Sequence, residues 1–153
     1  GRINGGSLLL KGASLDNSDG QLISQGRLDA ILGGALVNTG AARLASGGDL
    51  LLRSASVDNR GGKLVSQGLL EISAGSLDNG AGGVLNSAKG WLKLVTGLFD
   101  NSAGVTQAQS LEIRAGQGVR NQQGHLSALG GDNRIVTADF DNQGGGLYAS
   151  GLL

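Results

Sequence analysis

The sequence contains no proline, no cysteine and no methionine, and only four aromatic residues, Trp91, Phe99, Phe140 and Tyr148, among 153. Without cysteine there is neither a disulfide framework nor a thiolate metal site. Twelve basic residues balance twelve acidic ones, so bulk charge offers nothing to attract nucleic acid or an anionic membrane. The longest apolar runs, such as SLLL and WLKLV, fall far short of the roughly 20 residues a membrane-spanning helix requires. The chain begins at Gly1 with no initiator methionine and no signal peptide, and reads as a piece of something longer. What it has in excess is glycine, 30 residues, beside 39% hydrophobic residues. That is too apolar for a disordered linker, so a folded but unusual architecture is implied.

Asparagine supplies the organising signal. Asn17, Asn38, Asn59, Asn79, Asn101, Asn121 and Asn142 follow one another at intervals of 21, 21, 20, 22, 20 and 21. Two residues before each stands Leu15, Leu36, Val57, Leu77, Phe99, Val119 or Phe140, and three residues after it stands glycine in six cases, Ala41 being the exception. A repeat of this length means stacked units, either leucine-rich repeats with a helix in each or coils of short strands.

The interior of the unit decides. Segments 68–75, 90–97 and 109–116 alternate strictly, with Leu70, Ile72, Ala74; Leu92, Leu94, Thr96; and Leu111, Ile113, Ala115 on one face. Period two means strand. No stretch carries ten residues of helical apolar periodicity, and a second short strand follows each turn glycine, as in GQLIS, GKLVS and GHLSA. The expected fold is all-β: a right-handed parallel β-helix of about seven coils of 20–22 residues, with residues 1–153 forming one repeat segment of a longer rod. Each asparagine is expected at a corner, tolerating the left-handed conformation, with the seven amides stacked into a hydrogen-bonded ladder.

The same register predicts an outward row Asp29, Leu51, Glu71, Lys93, Glu112 and Arg134. Glu71, Lys93, Glu112 and Arg134 alternate in sign and are expected to form a charge ladder that resists slippage between coils. Asp16, Asp58, Asp78, Asp100 and Asp141 form a second column, broken by Val37 and Arg120, expected to point to water.

No catalytic, cofactor-binding or metal-binding residue emerges. The acidic turns lack the nine-residue pattern and the second nearby acid that a calcium coil needs. His125 is the sole histidine and has no partner ligand. The glycine-rich stretch 116–124 opens no helix that could cradle phosphate. Glu71 and Glu112 lie two coils apart, a spacing open to a polysaccharide-cleaving enzyme, but Lys93 falls between them and the units differ by at most two residues, leaving no loop to frame a cleft. A structural spacer is therefore favoured. The alternative is a binding surface, for which Trp91 is the residue that breaks the repeat; with Leu69 one coil below and Val95 on the same strand it forms a candidate apolar contact patch for a sugar or a partner protein.

The repeated grammar seen in LDNSDGQLISQGRLDA (15–30) and VDNRGGKLVSQGLLEISAGSLDN (57–79) resembles the repeats of filamentous haemagglutinin and related bacterial two-partner-secretion exoproteins, including the rods of contact-dependent growth inhibition. The resemblance covers essentially the whole chain. It implies a β-helical shaft, exported through a dedicated outer-membrane transporter, secreted or displayed at the bacterial surface, and serving adhesion or holding a receptor-binding or toxin region away from the cell. The partners it implies are that transporter and a receptor on a host or neighbouring cell, engaged by other parts of the parent. No cofactor is implied. Self-association of the segment is expected to be an artefact of unpaired strand edges at its ends.

Overall fold

A computed structural model describes all residues from Gly1 to Leu153. Every regular element is a strand, eighteen in all, and every pairing between strands is parallel. The chain is a solenoid of about seven turns.

Two stacks of strands form its main walls. The first wall consists of eight short strands, from Arg2–Gly5 through Gln21–Ser24, Arg43–Ser46, Lys63–Ser66, Val84–Ser87, Val105–Ala108 and His125–Ala128 to Gly146–Ala149, each bonded to the next in chain order. The second wall runs from Leu8–Gly12 through Leu28–Leu32, Leu50–Asp58, Leu70–Asp78, Trp91–Asp100 and Ser110–Arg120 to Asn133–Thr137. Its long strands bend into a third, narrow face, which elsewhere appears as the separate strands Leu15–Asp16, Ala35–Val37 and Phe140–Asp141.

Alternation along each strand fills the interior. Leu28, Leu50, Leu70, Leu92 and Leu111 stand in register on successive coils and are wholly buried. Each such leucine contributes on the order of 2 kcal/mol of burial free energy. Facing them across the interior, the first wall supplies Leu22, Leu44, Leu64, Leu85 and Leu126, with Thr106 interrupting the column. The Thr106 hydroxyl donates to Asn101 Oδ1 at 2.9 Å, which removes the cost of burying it among leucines.

The corner at each asparagine differs from the expectation in one respect. None of the seven asparagines has a positive φ; the left-handed residue comes two positions later, at Asp19, Gly40, Gly61, Ala81, Ala103, Gln123 and Gly144. The reason is that the asparagine side chain points inward, which an extended backbone allows and a left-handed one at the same residue would not. The turn glycine has a separate task. A Cβ on Gly62, Gly104, Gly124 or Gly145 would collide with the carbonyl oxygen of the asparagine one coil below. The unit starting at Asn38 is longer by one residue here, so the register partner of Gly62's neighbour Lys63 is Arg43, and Ala42, not Ala41, fills the glycine's place.

Candidate functional site

The asparagine side chains form a single column along the axis. Nδ2 of Asn17 donates to Oδ1 of Asn38 at 2.8 Å, Asn38 to Asn59 at 2.7 Å, and Asn59 to Asn79 at 2.7 Å. Asn79 to Asn101 and Asn101 to Asn121 follow at 2.8 Å, and Asn121 to Asn142 at 2.7 Å. Every link runs in the same direction, from each coil to the next. The second Nδ2 proton reaches the backbone of the first wall one coil up, at the carbonyls of Arg43, Lys63, Val84, Val105, His125 and Gly146 in turn. The five asparagines from Asn38 to Asn121 are 0% exposed, so each amide satisfies its donors and acceptor without water.

The aspartates beside the ladder cap the turns. The backbone N–H groups of Ser18, Arg60, Gly80, Ser102 and Gln143 donate to Oδ1 of Asp16, Asp58, Asp78, Asp100 and Asp141 at 2.9 to 3.2 Å. This is the Asx-turn bond that explains aspartate at this position. The column therefore serves the backbone as well as facing water. Arg60 also binds Asp58 at 2.8 Å and approaches Asp78 at 3.8 Å, offsetting repulsion between two carboxylates in register. The hydrogen bond from the Arg60 side chain holds the Asp58 carboxyl below the usual aspartate range; the Ser18 hydroxyl does the same for Asp16.

The outward row lies on the second wall, with Glu71 beside Lys93, Lys93 beside Glu112, and Glu112 beside Arg134 on successive strands. No ion pair joins these rungs. Glu112 binds Arg114 on its own strand at 3.1 Å, Asp29 binds Arg27 at 2.8 Å, and the two remaining ion pairs belong to Arg60. Lys93 Nζ instead sits 5.9 Å from the centroid of the Trp91 ring, a cation–π distance. Glu71 and Glu112 are separated by the Lys93 rung on this wall, and no group of three or more His, Asp or Glu side chains converges anywhere.

Trp91 points outward and is 43% exposed, and Val95 is 54% exposed. Leu69 is half-buried one coil below Trp91. Val95, four residues further along the strand, lies about 13 Å from Trp91, with Lys93 between them. Leu69 and Trp91 therefore form one apolar patch and Val95 a second, beside a shallow notch lined by Leu51, Arg53, Glu71 and Ser73. His125 is exposed on the outer face of the first wall.

Two sets of interior polar groups escaped sequence reasoning. At the corner between the walls, the Ser24, Ser46, Ser66 and Ser87 hydroxyls donate to the carbonyls of Arg27, Asp49, Gly68 and again Gly68; above them Ala108 and Ala128 take the position. The recurrent serine closing each first-wall strand was the available signal. Asn133 replaces the leucine of its column and donates to the carbonyls of Leu126 and Tyr148 at 3.1 Å each. The available signal was that Asn133 has Gly131, not an apolar residue, two before it and Val136, not glycine, three after it, and stands one repeat after Leu111.

A family model described as haemagglutinin repeat matches residues 2–54 and 29–153. No curated protein and no solved structure matches the chain.

Proposed function

The chain belongs to the haemagglutinin-repeat family, and from that premise we propose that it is the structural shaft of a large bacterial exoprotein, projecting a binding or toxin region away from the cell. Membership implies a secreted or cell-surface exoprotein of the two-partner-secretion kind. In this reading an outer-membrane transporter is the partner during export, and a receptor on a host or neighbouring cell is met elsewhere in the parent.

The observation that carries the shaft reading is the unbroken amide column. The residues that recur from coil to coil, the asparagine, its apolar neighbour two before and the turn glycine, are all engaged in building the next coil. At roughly 4.8 Å per coil the segment contributes about 35 Å of rod. No helix is long and apolar enough to cross a membrane. The test is to delete residues 60–79, one whole coil, from the parent: the rod should fold one rung shorter and keep its binding activity. Loss of binding from a rod that still folds would overturn the spacer role.

A second reading is favoured by one feature alone, the exposed indole of Trp91. With Leu69 it offers a flat apolar surface on which a sugar or a partner side chain could stack. Binding to a glycan array that disappears with Trp91→Ala, and not with Tyr148→Ala, would support an adhesive role for the segment itself.

A further inference from the structure

The outer face of the second wall carries Leu9, Ile31, Trp91, Val95 and Val136, five of the large hydrophobic side chains most exposed to solvent. The same face holds charges outside any ion pair of the molecule: Glu71, Lys93 and Arg134 enter none of them, and Lys93 rests only near the Trp91 ring. We propose that this face is self-complementary and docks a second copy of the chain antiparallel, about a two-fold axis that lies along the strands between the Glu71 and Lys93 rungs.

The registry supports the arrangement rung by rung. Such an axis sets Glu71 of one copy against Lys93 of the other, and Leu69 against Trp91, because these residues occupy the same two strand positions on adjacent coils. Two coils outward on either side, Asp29 lies as far below Glu71 as Arg134 lies above Lys93. The Arg27–Asp29 pair thus faces Asp132 and Arg134 of the second copy, giving a four-charge cluster at each end of the interface. Ile31 meets Val136, both nearly half exposed in the single chain at 45% and 46%. Two juxtapositions are unfavourable: Leu51 faces Glu112 and Arg53 faces Arg114, the charges of Glu112 and Arg114 being partly offset by their own pair at 3.1 Å. A parallel arrangement about the rod axis fares worse, since it sets Glu71 against Glu71 and Lys93 against Lys93. Six rungs, from Leu28–Leu32 to Asn133–Thr137, find a counterpart, with the Leu9 strand lying beyond the overlap; they cover about 30 Å by about 15 Å, which places the buried area at the low end for a specific interface. The dimer is accordingly weak, dependent on concentration and sensitive to salt.

Sedimentation velocity of the 153-residue chain from about 10 μM to about 1 mM, at low and high salt, tests the proposal. A monomer–dimer equilibrium weakened by salt is expected. Glu71→Lys and Lys93→Glu should each weaken self-association by about tenfold or more, and the equimolar mixture of the two should associate again, because opposite charges then meet at both central pairs. Far-UV circular dichroism checks that each variant keeps the strand signal. A second measurement is independent of those variants. The chain has no cysteine of its own, so a mixture of Ile31→Cys and Val136→Cys should oxidise to a mixed disulfide-linked dimer faster than either alone. A monomer throughout, a dimer indifferent to both charge reversals, or disulfides formed without preference for the mixed pair would each overturn the assignment.

Discussion

Asn79 donates its side-chain amide to Oδ1 of Asn101 at 2.8 Å, although 22 residues of chain separate the two. The bond spans one coil of height and lies wholly inside the solenoid, where both residues are 0% exposed. Asn79 accepts the equivalent bond from Asn59 at 2.7 Å and donates to the backbone at Val105. A single amide thereby ties three consecutive coils, and in the low-dielectric interior such aligned hydrogen bonds reinforce one another.

Asn79→Ala is expected to destabilise the chain by about 2–4 kcal/mol, since it leaves a cavity and strips partners from buried groups on the coils above and below. Asn142→Ala, at the exposed end of the column, should cost less than about 1 kcal/mol. Urea denaturation of both variants checks the contrast; equal losses would mean that the column does not bear the load assigned to it.

The turn separates two uses of small residues. Gly62→Ala drives a Cβ into the carbonyl of Asn38 and should cost about 2 kcal/mol or more. Ala103→Gly acts in the opposite sense, relieving a residue held at φ 56°, and should stabilise by about 0.5 kcal/mol once the greater freedom of the unfolded glycine is subtracted. Thermal melts of the two variants should move in opposite directions.

Lys93 stands between Glu71 and Glu112 in the ladder of strands without forming an ion pair to either. Lys93→Glu would align three carboxylates and is expected to cost about 0.5 kcal/mol more than Lys93→Gln at low salt, with the difference vanishing at about 1 M salt. Variants of equal stability at low salt would show that the row has no electrostatic role within one molecule.

Asp58 provides the pH dependence. Its carboxyl is held below the ordinary aspartate range by the Arg60 side chain, so the folded chain binds this proton less readily than the unfolded one. The resulting stability is present above the ordinary aspartate pKa, near pH 4, and is lost as pH falls through the depressed value. Because the pair is partly exposed the effect should be no more than about 1 kcal/mol. Denaturation between about pH 2.5 and pH 6 should show the wild-type chain losing stability relative to Asp58→Asn as the pH drops; parallel curves would remove Asp58 from the account.

Much of this architecture was legible in the chain because a solenoid repeats its physics. The strict alternation around Leu70 and Ile72 admits only a strand, and the recurrence of Asn59 and Asn79 at one coil's length aligns them before any coordinates are known. The details that were not legible depend on height along the axis. Sequence spacing could not tell that the left-handed residue is Gly61 and not Asn59, since both types tolerate that conformation and only the inward aim of the amide decides between them. Nor could it tell that Glu112 turns to Arg114 and Lys93 to the Trp91 ring, because side chains choose among neighbours that are equally near in register.

Composition and periodicity by themselves determined that this chain is a stack of parallel coils and which apolar side chains line its interior. Those are properties of a pattern repeated every 20–22 residues, and a pattern is carried by order alone. Tertiary structure decided which hydrogen bonds the asparagines make, why glycine is demanded against the carbonyl of Asn38, and how charges and exposed apolar residues sort onto the outer face of the second wall. Those depend on contacts between residues some twenty positions apart, at distances of a few ångströms that only the closed coil brings into being.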